Sequence, residues 1–128
     1  MPRIDSITVD AVRPAALARF WAAALEGYAV RTYDEAEVAR LAALGLTPET
    51  DPTVMVDGPG PTLCFQKMPG KTRGRNRWHL DLRGASRETE VARLCELGAT
   101  VREVHDEWTT LLDPEGNPFC VLDPRIGG

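Results

Sequence analysis

The stretch Arg77-Trp78-His79-Leu80-Asp81-Leu82 alternates strictly between ionisable and apolar side chains. Because successive side chains of a β-strand point to opposite faces, this run predicts a strand with one apolar face and one ionisable face. The apolar side chains are expected to pack on a core, whereas the ionisable ones, which include His79 and Asp81, form the opposite face. A solvated strand face is the alternative, but three ionisable residues in succession favour a functional surface.

The flanking sequence predicts further strands and helices from its hydrophobic periodicity. Pro14 suits a first helical turn, Asp34 with Glu37 three residues on resembles a capping box, and Ser86 suits an N-cap. The predicted helices are 14–25, 34–45 and 86–98, with Val38, Leu41 and Leu44 as the apolar stripe of the second and Val91, Leu94 and Leu97 as that of the third. The predicted strands are 4–11, 28–33, 53–56, 62–67, 77–82, 100–104, 108–112 and 119–122.

The predicted elements repeat the order strand, helix, strands in the two halves of the chain. Residues 6–20 and 79–94 show the same pattern, an alternating strand followed by a break and an amphipathic helix. We therefore interpret the helix at 34–45 as an insertion into the first half. Helices that cover one face of each sheet leave the other face free. The polar side chains on those free faces are Ser6, Thr8, Cys64 and Gln66 in one half and His79, Asp81 and Cys120 in the other.

Composition narrows the class of protein. The chain has 128 residues, of which 43% are hydrophobic and 27% charged, as expected for one globular domain. A formal net charge of −4 argues against nucleic acid as a partner, and the basic cluster at 71–77 is interpreted as a solvated loop.

The cysteines and the N-terminal residues indicate the cellular compartment in which the protein is expected. Three cysteines, an odd number with no CxxC spacing, are expected to be free thiols in a reducing environment. Neither a secretory signal pattern nor an apolar run of membrane-spanning length is visible. We therefore predict a cytoplasmic protein with no membrane partner.

Four stretches spread over nearly the whole chain resemble the vicinal oxygen chelate superfamily, and within it the glyoxalase-like and bleomycin-resistance-like proteins. They are Phe20-Trp21-Ala22-Ala23-Ala24-Leu25, Asn76-Arg77-Trp78-His79-Leu80-Asp81-Leu82, Leu97-Gly98-Ala99-Thr100 and Asp113-Pro114-Glu115-Gly116-Asn117-Pro118-Phe119. The resemblance implies a single α+β domain over 1–128. It implies two βαβββ modules, about 1–70 and about 76–125, that form a cupped open β-barrel and usually assemble as a homodimer.

Metal-dependent members of that superfamily imply ligand positions on the first and last strands of each module. Carried over position by position, these fall on Ser6, Gln66, His79 and Cys120. Only His79 is a usual ligand of that site. Gln66 offers a carbonyl oxygen and Cys120 a thiolate, whereas hard cations prefer carboxylates. We therefore expect no metal and no other cofactor, with a divalent metal at His79 as the less favoured alternative.

Individual residues carry two interpretations each. His79 is the candidate acid/base, or a hydrogen-bonded residue of a pocket wall. Asp81 orients a ligand or pairs with Arg77, Trp108 stacks a flat ligand or packs in the core, and Cys120 is a reactive thiol or a small hydrophobe. The predicted ligand-binding residues are Ser6, Thr8, Gln66, Asp81, Trp108 and Cys120.

Trp21 and Trp78 are expected in the core, and His105 is expected at the surface. The helix 34–45 either covers the site or packs on the sheet.

These observations lead to a protein that acts on a small organic molecule in an apolar cup. One hypothesis is an enzyme of lyase or isomerase type, with His79 as acid/base and no complete metal site. The other is a protein that binds or sequesters a small molecule, such as a drug, without turnover. An interaction module with a vestigial pocket is the least favoured hypothesis.

Overall fold

The computed structural model describes residues 4–68 and 79–124. The chain divides into two compact units, unit 1 (Met1–Thr72) and unit 2 (Arg73–Gly128), and each is described by itself. Unit 1 contains β1 (Ser6–Ala11), α1 (Pro14–Ala24), β2 (Ala29–Val30), α2 (Glu35–Ala43), β3 (Thr53–Asp57) and β4 (Thr62–Lys67). Unit 2 contains β5 (Leu80–Arg83), α3 (Arg87–Glu96), β6 (Thr100–Val104), β7 (Trp108–Leu112) and β8 (Pro118–Leu122).

The two units share one sheet topology. The strand order is β1-β4-β3-β2 in unit 1 and β5-β8-β7-β6 in unit 2. In each sheet the first strand pairs in parallel with the last, and the remaining pairs are antiparallel. The predicted α+β class and the repeated order of elements are therefore confirmed, and α2 is the inserted helix, since it lies between β2 and β3 with no counterpart among the described residues of unit 2.

Unit 1 builds its core between the sheet and α1. Val54, Val56, Leu63 and Phe65 alternate along β3 and β4 and are all buried. The buried side of α1 carries Leu17, Phe20 and Trp21, and the rings of Phe20 and Trp21 meet edge to face with their centroids 5.2 Å apart. The prediction that Trp21 is a core residue is confirmed.

Helix α2 is less buried than its sequence pattern predicts. Of its predicted apolar stripe only Leu41 is buried, whereas Val38 and Leu44 are exposed. Asp34 caps the helix by accepting from the Glu37 backbone N–H at 2.8 Å. The Glu37 carboxylate accepts from Arg40 at 2.9 Å. It therefore does not make the contact with the Asp34 backbone N–H that a complete capping box would have.

Strand β2 (Ala29–Val30) is shorter than the predicted strand 28–33, and the tyrosines at the two ends of that predicted strand form hydrogen bonds with neighbouring loops. The Tyr28 hydroxyl donates to the Pro61 carbonyl at 3.0 Å, and the Tyr33 hydroxyl donates to Asp51 at 2.7 Å. The Tyr28 ring lies so close to the backbone of Gly58 that an added Cβ there would be 2.5 Å from it. Glycine at 58 is therefore required by packing.

Unit 2 buries Leu94 of α3 against its sheet, together with Leu111, Phe119 and Val121. Ser86 caps α3 by accepting from the Thr89 N–H at 3.4 Å, as predicted, whereas Leu97 is exposed beyond the end of the helix. Strand β5 begins at Leu80. Arg77, Trp78 and the basic cluster 71–77 lie outside the described residues, as does the predicted core position of Trp78.

The turn between β7 and β8 is organised by the buried carboxylate of Asp113. Its oxygens accept from the backbone N–H groups of Glu115 and Asn117, both at 2.9 Å, and from the Asn117 amide. Gly116 has a φ of 83°, which the turn requires and which glycine adopts without strain. In the described parts of the chain, no helix combines the length and the apolar character needed to span a membrane.

Candidate functional site

One face of the unit 2 sheet carries polar residues in a row that is flanked by apolar ones. Asp81 of β5 pairs with Cys120 of β8, which pairs with Thr110 of β7. Directly paired residues project to the same side of a sheet, so these three side chains are neighbours. The rows on either side are mostly apolar: one contains Leu112 and Pro118 beside Thr100, and the other contains Trp108 and Leu122 beside Arg83. We call this surface the site face, defined by Asp81, Thr110, Cys120, Trp108, Leu112 and Leu122.

His79 lies immediately before β5 and contacts this face through Asp81. Its Nδ1 is 3.2 Å from Asp81 Oδ1, and the two side chains are 53% and 49% exposed. One ligand-type atom from each of His79, Asp81 and Cys120 lies within 4.8 Å of the other two. We call this group the His79–Asp81–Cys120 cluster. The alternation that placed His79 and Asp81 on one face is thus matched by a direct contact.

Cys120 is half-buried at the centre of the polar row. Its sulfur is 3.6 Å from the Thr110 hydroxyl on the side away from Asp81. A hydroxyl at this distance can donate to a thiolate. The thiol therefore has a hydrogen-bonding group on one side and the two ionisable residues of the cluster on the other.

Trp108 is an exposed aromatic side chain of the site face. Its ring is stacked on the His105 ring, with centroids 4.3 Å apart and planes at 24°, and the residue is 37% exposed. His105 Nε2 lies 3.4 Å from a Glu103 carboxylate oxygen. Of the two interpretations of Trp108, core packing is not observed. His105, predicted at the surface, is partly covered by this stacking.

Arg87 at the start of α3 holds the turn that carries this stack. Its guanidinium donates to the backbone carbonyls of His105 at 2.7 Å and Asp106 at 2.8 Å. The same group pairs with Asp123 at 2.8 Å. Because Arg is always charged and has five donors in a fixed plane, it can satisfy all three acceptors at once and fix the turn.

The corresponding face of unit 1 has different chemistry. The register pairs Thr8 with Cys64 and Cys64 with Met55, so Cys64 is the topological counterpart of Cys120. Ser6 pairs with Thr62, whereas Gln66 pairs with Asp10. Gln66 is thus four residues farther along β4 than the partner of Ser6, about 13 Å at the rise of a β-strand. The register of unit 1 therefore separates Ser6 from Gln66, and the counterpart of Gln66 in unit 2 is Leu122.

The ionisable groups of unit 1 form structural contacts. The hydrogen bond from the Arg31 guanidinium, supported by that from Thr62, lowers the pKa of the Asp57 carboxyl to about 2. Burial raises the pKa of the Tyr33 hydroxyl, and the hydrogen bond to Asp51 raises it further. These contacts anchor the segments that flank β2 and β3.

Comparison with known families and structures identifies the fold. The profile of the glyoxalase-like domain family matches residues 6–122, which is nearly the whole chain. The chain belongs to the glyoxalase-like domain family. It is thereby a member of the vicinal oxygen chelate superfamily, as the sequence resemblance predicted.

Solved structures of this glyoxalase-like fold are similar over the full length at low identity. A glyoxalase/bleomycin resistance protein/dioxygenase family enzyme from Burkholderia phytofirmans PsJN is 14% identical, with a TM-score of 0.71 over 97% of this chain and 100% of its own. A glyoxalase/bleomycin resistance protein from Albidiferax ferrireducens T118 is 19% identical, with a TM-score of 0.57 over 94% of this chain and 98% of its own.

The trypanothione-dependent glyoxalase I of Leishmania major is also similar. It is 13% identical, with a TM-score of 0.60 over 96% of this chain and 87% of its own. No curated protein matches the sequence significantly. At these identities the similarity establishes the fold, and the chemistry of this glyoxalase-like domain has to be argued from its own residues.

The metal that the superfamily implies can be tested against the donors present. The His79–Asp81–Cys120 cluster offers an imidazole, one carboxylate and a thiol. Hard cations such as Mg²⁺ or Mn²⁺ favour several oxygen ligands, and a thiolate does not suit them. Within unit 1, Ser6 and Gln66 do not come together to supply further oxygens. The donor set therefore does not fit a carboxylate-rich site for a hard cation.

Sequence reasoning did not single out two residues that the structure places beside the predicted ones. The alternation within 108–112 places Thr110 on the same strand face as Trp108, but it does not identify Thr110 as the hydroxyl beside Cys120. Glu103 pairs with Thr110 because the register of β6 shifts between Val101 and Glu103. The alternation within 108–112 is a signal that could have identified Thr110. A register shift of this kind leaves no such signal for Glu103.

Proposed function

We propose that this glyoxalase-like domain catalyses a lyase- or isomerase-type reaction on a small organic molecule, with His79 as its acid/base. The observation that supports this most is the contact of 3.2 Å between His79 Nδ1 and Asp81 Oδ1. A carboxylate at Nδ1 holds the proton on that nitrogen and leaves the Nε2 lone pair to accept a proton from the substrate. Asp81 also stabilises the imidazolium that results.

The residues around the cluster match a substrate with a polar centre and an apolar body. Trp108, Leu112 and Leu122 supply apolar surface beside the polar row, and the Thr110 hydroxyl offers a hydrogen bond. The substrate class we propose is a carbonyl compound whose neighbouring carbon carries an acidic proton. Ser6, Thr8 and Gln66 of unit 1, which are exposed, remain predicted ligand contacts, and the homodimer and the cytoplasmic location remain predictions.

Proton exchange in deuterated water tests the role of His79. A series of aromatic α-hydroxyketones is incubated with the protein, and loss of the ¹H NMR signal at the carbon beside the carbonyl gives the exchange rate. His79→Gln should lower the protein-dependent rate by about 100-fold or more, since general acid/base catalysis contributes roughly that much. Glu26→Gln, at an exposed ionisable side chain of unit 1, is the control and should retain the rate. Equal rates for wild type and His79→Gln would discard the proposal.

Binding without turnover is the alternative, and the exposed ring of Trp108 favours it. An aromatic ring that is 37% exposed beside apolar residues can stack on a flat ligand. The same ketones can be titrated by ligand-observed NMR. If they bind to wild type, bind weakly to Trp108→Ala, and show no exchange with either protein, the protein binds such molecules and does not transform them.

A further inference from the structure

We propose that Cys120 is a reactive thiol of the site face that adds covalently to α,β-unsaturated carbonyl compounds, with His79 as the base that accepts its proton. This inference rests on the acid/base role of His79 and extends it to a second reacting group and a defined class of electrophile. It starts from the position of the sulfur within the His79–Asp81–Cys120 cluster.

The three cysteines of the chain have different surroundings. Cys64 is buried at 9% exposure, and its cross-strand neighbours are Thr8 and Met55. Cys95 is half-buried on α3. Among the described residues, Cys120 is the cysteine that groups with a histidine and a carboxylate, all within 4.8 Å. The two half-buried thiols therefore differ in their neighbours more than in their exposure.

The arrangement has the components of an activated nucleophile. A thiol reacts as its thiolate, and a nearby imidazole that is itself oriented by a carboxylate can take the thiol proton. Asp81 is that carboxylate, at 3.2 Å from His79 Nδ1. The Thr110 hydroxyl, 3.6 Å from the sulfur, can donate a hydrogen bond to the thiolate once it forms. Nucleophile, base and orienting group thus lie within 4.8 Å of one another, which is longer than a hydrogen bond, so the sulfur and the imidazole have to approach each other before the proton moves.

The addition balances without any further reagent. The sulfur forms a bond to the β-carbon of the acceptor, and the carbon–carbon π electrons move to give the enolate. The proton that His79 took from the thiol is then delivered to the α-carbon. No electrons are gained or lost overall, and the product is a thioether. The apolar residues Leu112, Leu122 and Trp108 of the site face would contact the carbon skeleton of the acceptor.

Site-resolved labelling with acrylamide, a small α,β-unsaturated amide, tests the proposal. The full-length protein is labelled near pH 7 in parallel samples with and without a chelator, and peptide mass spectrometry gives separate rates for Cys64, Cys95 and Cys120. Cys120 should react about tenfold faster than Cys95, since an unassisted thiol is only a few per cent thiolate at this pH. His79→Gln should remove most of that advantage, and Glu26→Gln, at an exposed side chain of unit 1, should not.

The rate of Cys95 is the internal reference. If it is unchanged in His79→Gln, that variant is folded and a slower Cys120 reflects the lost base. Asp81→Asn, which keeps the side-chain size, should slow Cys120 to a lesser degree because it removes only the orienting charge. Cys120 reacting no faster than Cys95 in wild type, or at the same rate in His79→Gln, would overturn the proposal. A Cys120 that reacts only after chelation would also overturn it, since the sulfur would then be a metal ligand.

The labelling experiment and the exchange assay test the two proposals independently of each other. Exchange that depends on His79, together with a slow Cys120, would reject the thiol and leave the acid/base function standing. A fast Cys120 that depends on His79, without any exchange, would reject the proposed reaction of carbon acids and leave the thiol chemistry standing.

Discussion

Units 1 and 2 have the same strand order, but the side chains at equivalent positions of their sheets differ in chemistry. The central row of unit 1 contains Thr8, Cys64 and Met55, and the equivalent row of unit 2 contains Asp81, Cys120, Thr110 and Glu103. A cysteine occupies the middle of both rows, but only in unit 2 do the described neighbours include a histidine and a carboxylate. The repeated topology therefore repeats the scaffold and not the chemistry, which depends on a few side chains.

The comparison extends to the ionisable residues. In unit 1 the ion pairs of Arg19 with Glu49 and of Arg31 with Asp57, at 2.7 and 2.8 Å, link segments that are distant in sequence. In unit 2 Arg87 performs the same kind of structural task, but His79 and Asp81 pair with each other beside a thiol. We therefore expect changes in unit 1 to alter stability, and changes at the cluster to alter reactivity.

Removing the largest fully buried side chain of each unit should have the largest effect on stability. Phe65 and Phe119 are 0% and 1% exposed, and replacing either by alanine should cost about 3–5 kcal/mol through lost burial and the cavity that remains. Urea denaturation followed by circular dichroism measures both losses. Val104→Ala, at a side chain that is 71% exposed, is the control and should change little. A loss below about 1 kcal/mol for one phenylalanine would show that the two cores are unequal.

The turn between β7 and β8 of unit 2 should show an effect on stability of intermediate size. Asp113 is 4% exposed and its carboxylate accepts from the backbone and side chain of Asn117 and from Glu115. Asp113→Ala should destabilise the protein by about 2 kcal/mol, since it leaves these donors without their charged acceptor. Thermal and urea unfolding give the value. Asn117→Ala should lower the unfolding free energy by less, because the backbone N–H groups of residues 115 and 117 still donate to the Asp113 carboxylate. An equal loss would contradict this account of the turn.

The smallest effect on stability is expected at Asp57, the last residue of β3, and it depends on pH. The pKa of Asp57 is lowered from 3.8 to about 2, so the carboxylate stabilises the fold above pH 4 and loses that contribution as the pH falls toward 2. The Asp57 side chain is 42% exposed, and we expect Asp57→Asn to cost only about 0.2–1 kcal/mol at neutral pH. Unfolding free energies measured from pH 7 to pH 2 should converge for wild type and variant. In an Arg31→Gln background the difference should shrink, and a difference at pH 2 as large as that at pH 7 would contradict the assignment.

Periodicity predicted which side chains share a face, and this part of the site could be read from the sequence. The alternation over 77–82 placed His79 with Asp81, and that over 108–112 placed Trp108 with Thr110; the contacts and the register agree with both. The same reasoning, with Ser86 and Asp34 as caps, located the three helices of the described residues to within a few residues. These features are local, so short stretches of sequence determine them.

Register between distant strands could not be predicted in this way. Cys64 and Gln66 lie on the same face of β4, and alternation does not distinguish them, whereas pairing with β1 places Thr8 beside Cys64. The length of β2 was overestimated because Tyr28 and Tyr33 have strand propensity, and their hydroxyls instead bond to residues that come later in the chain. Both differences arise from tertiary contacts that no local pattern contains.

The parallel pairing of first and last strands also bears on how the two units form. Ser6 meets Thr62 across 56 residues, whereas Leu80 meets Phe119 across 39, and part of the longer span is α2. By the loop-closure relation this extra length costs only about 0.3 kcal/mol, so a helix could be inserted there at small thermodynamic expense. Folding rates fall as contacts become more distant in sequence, so the unit with the shorter closure, which carries the reactive cluster, is the one expected to nucleate earlier.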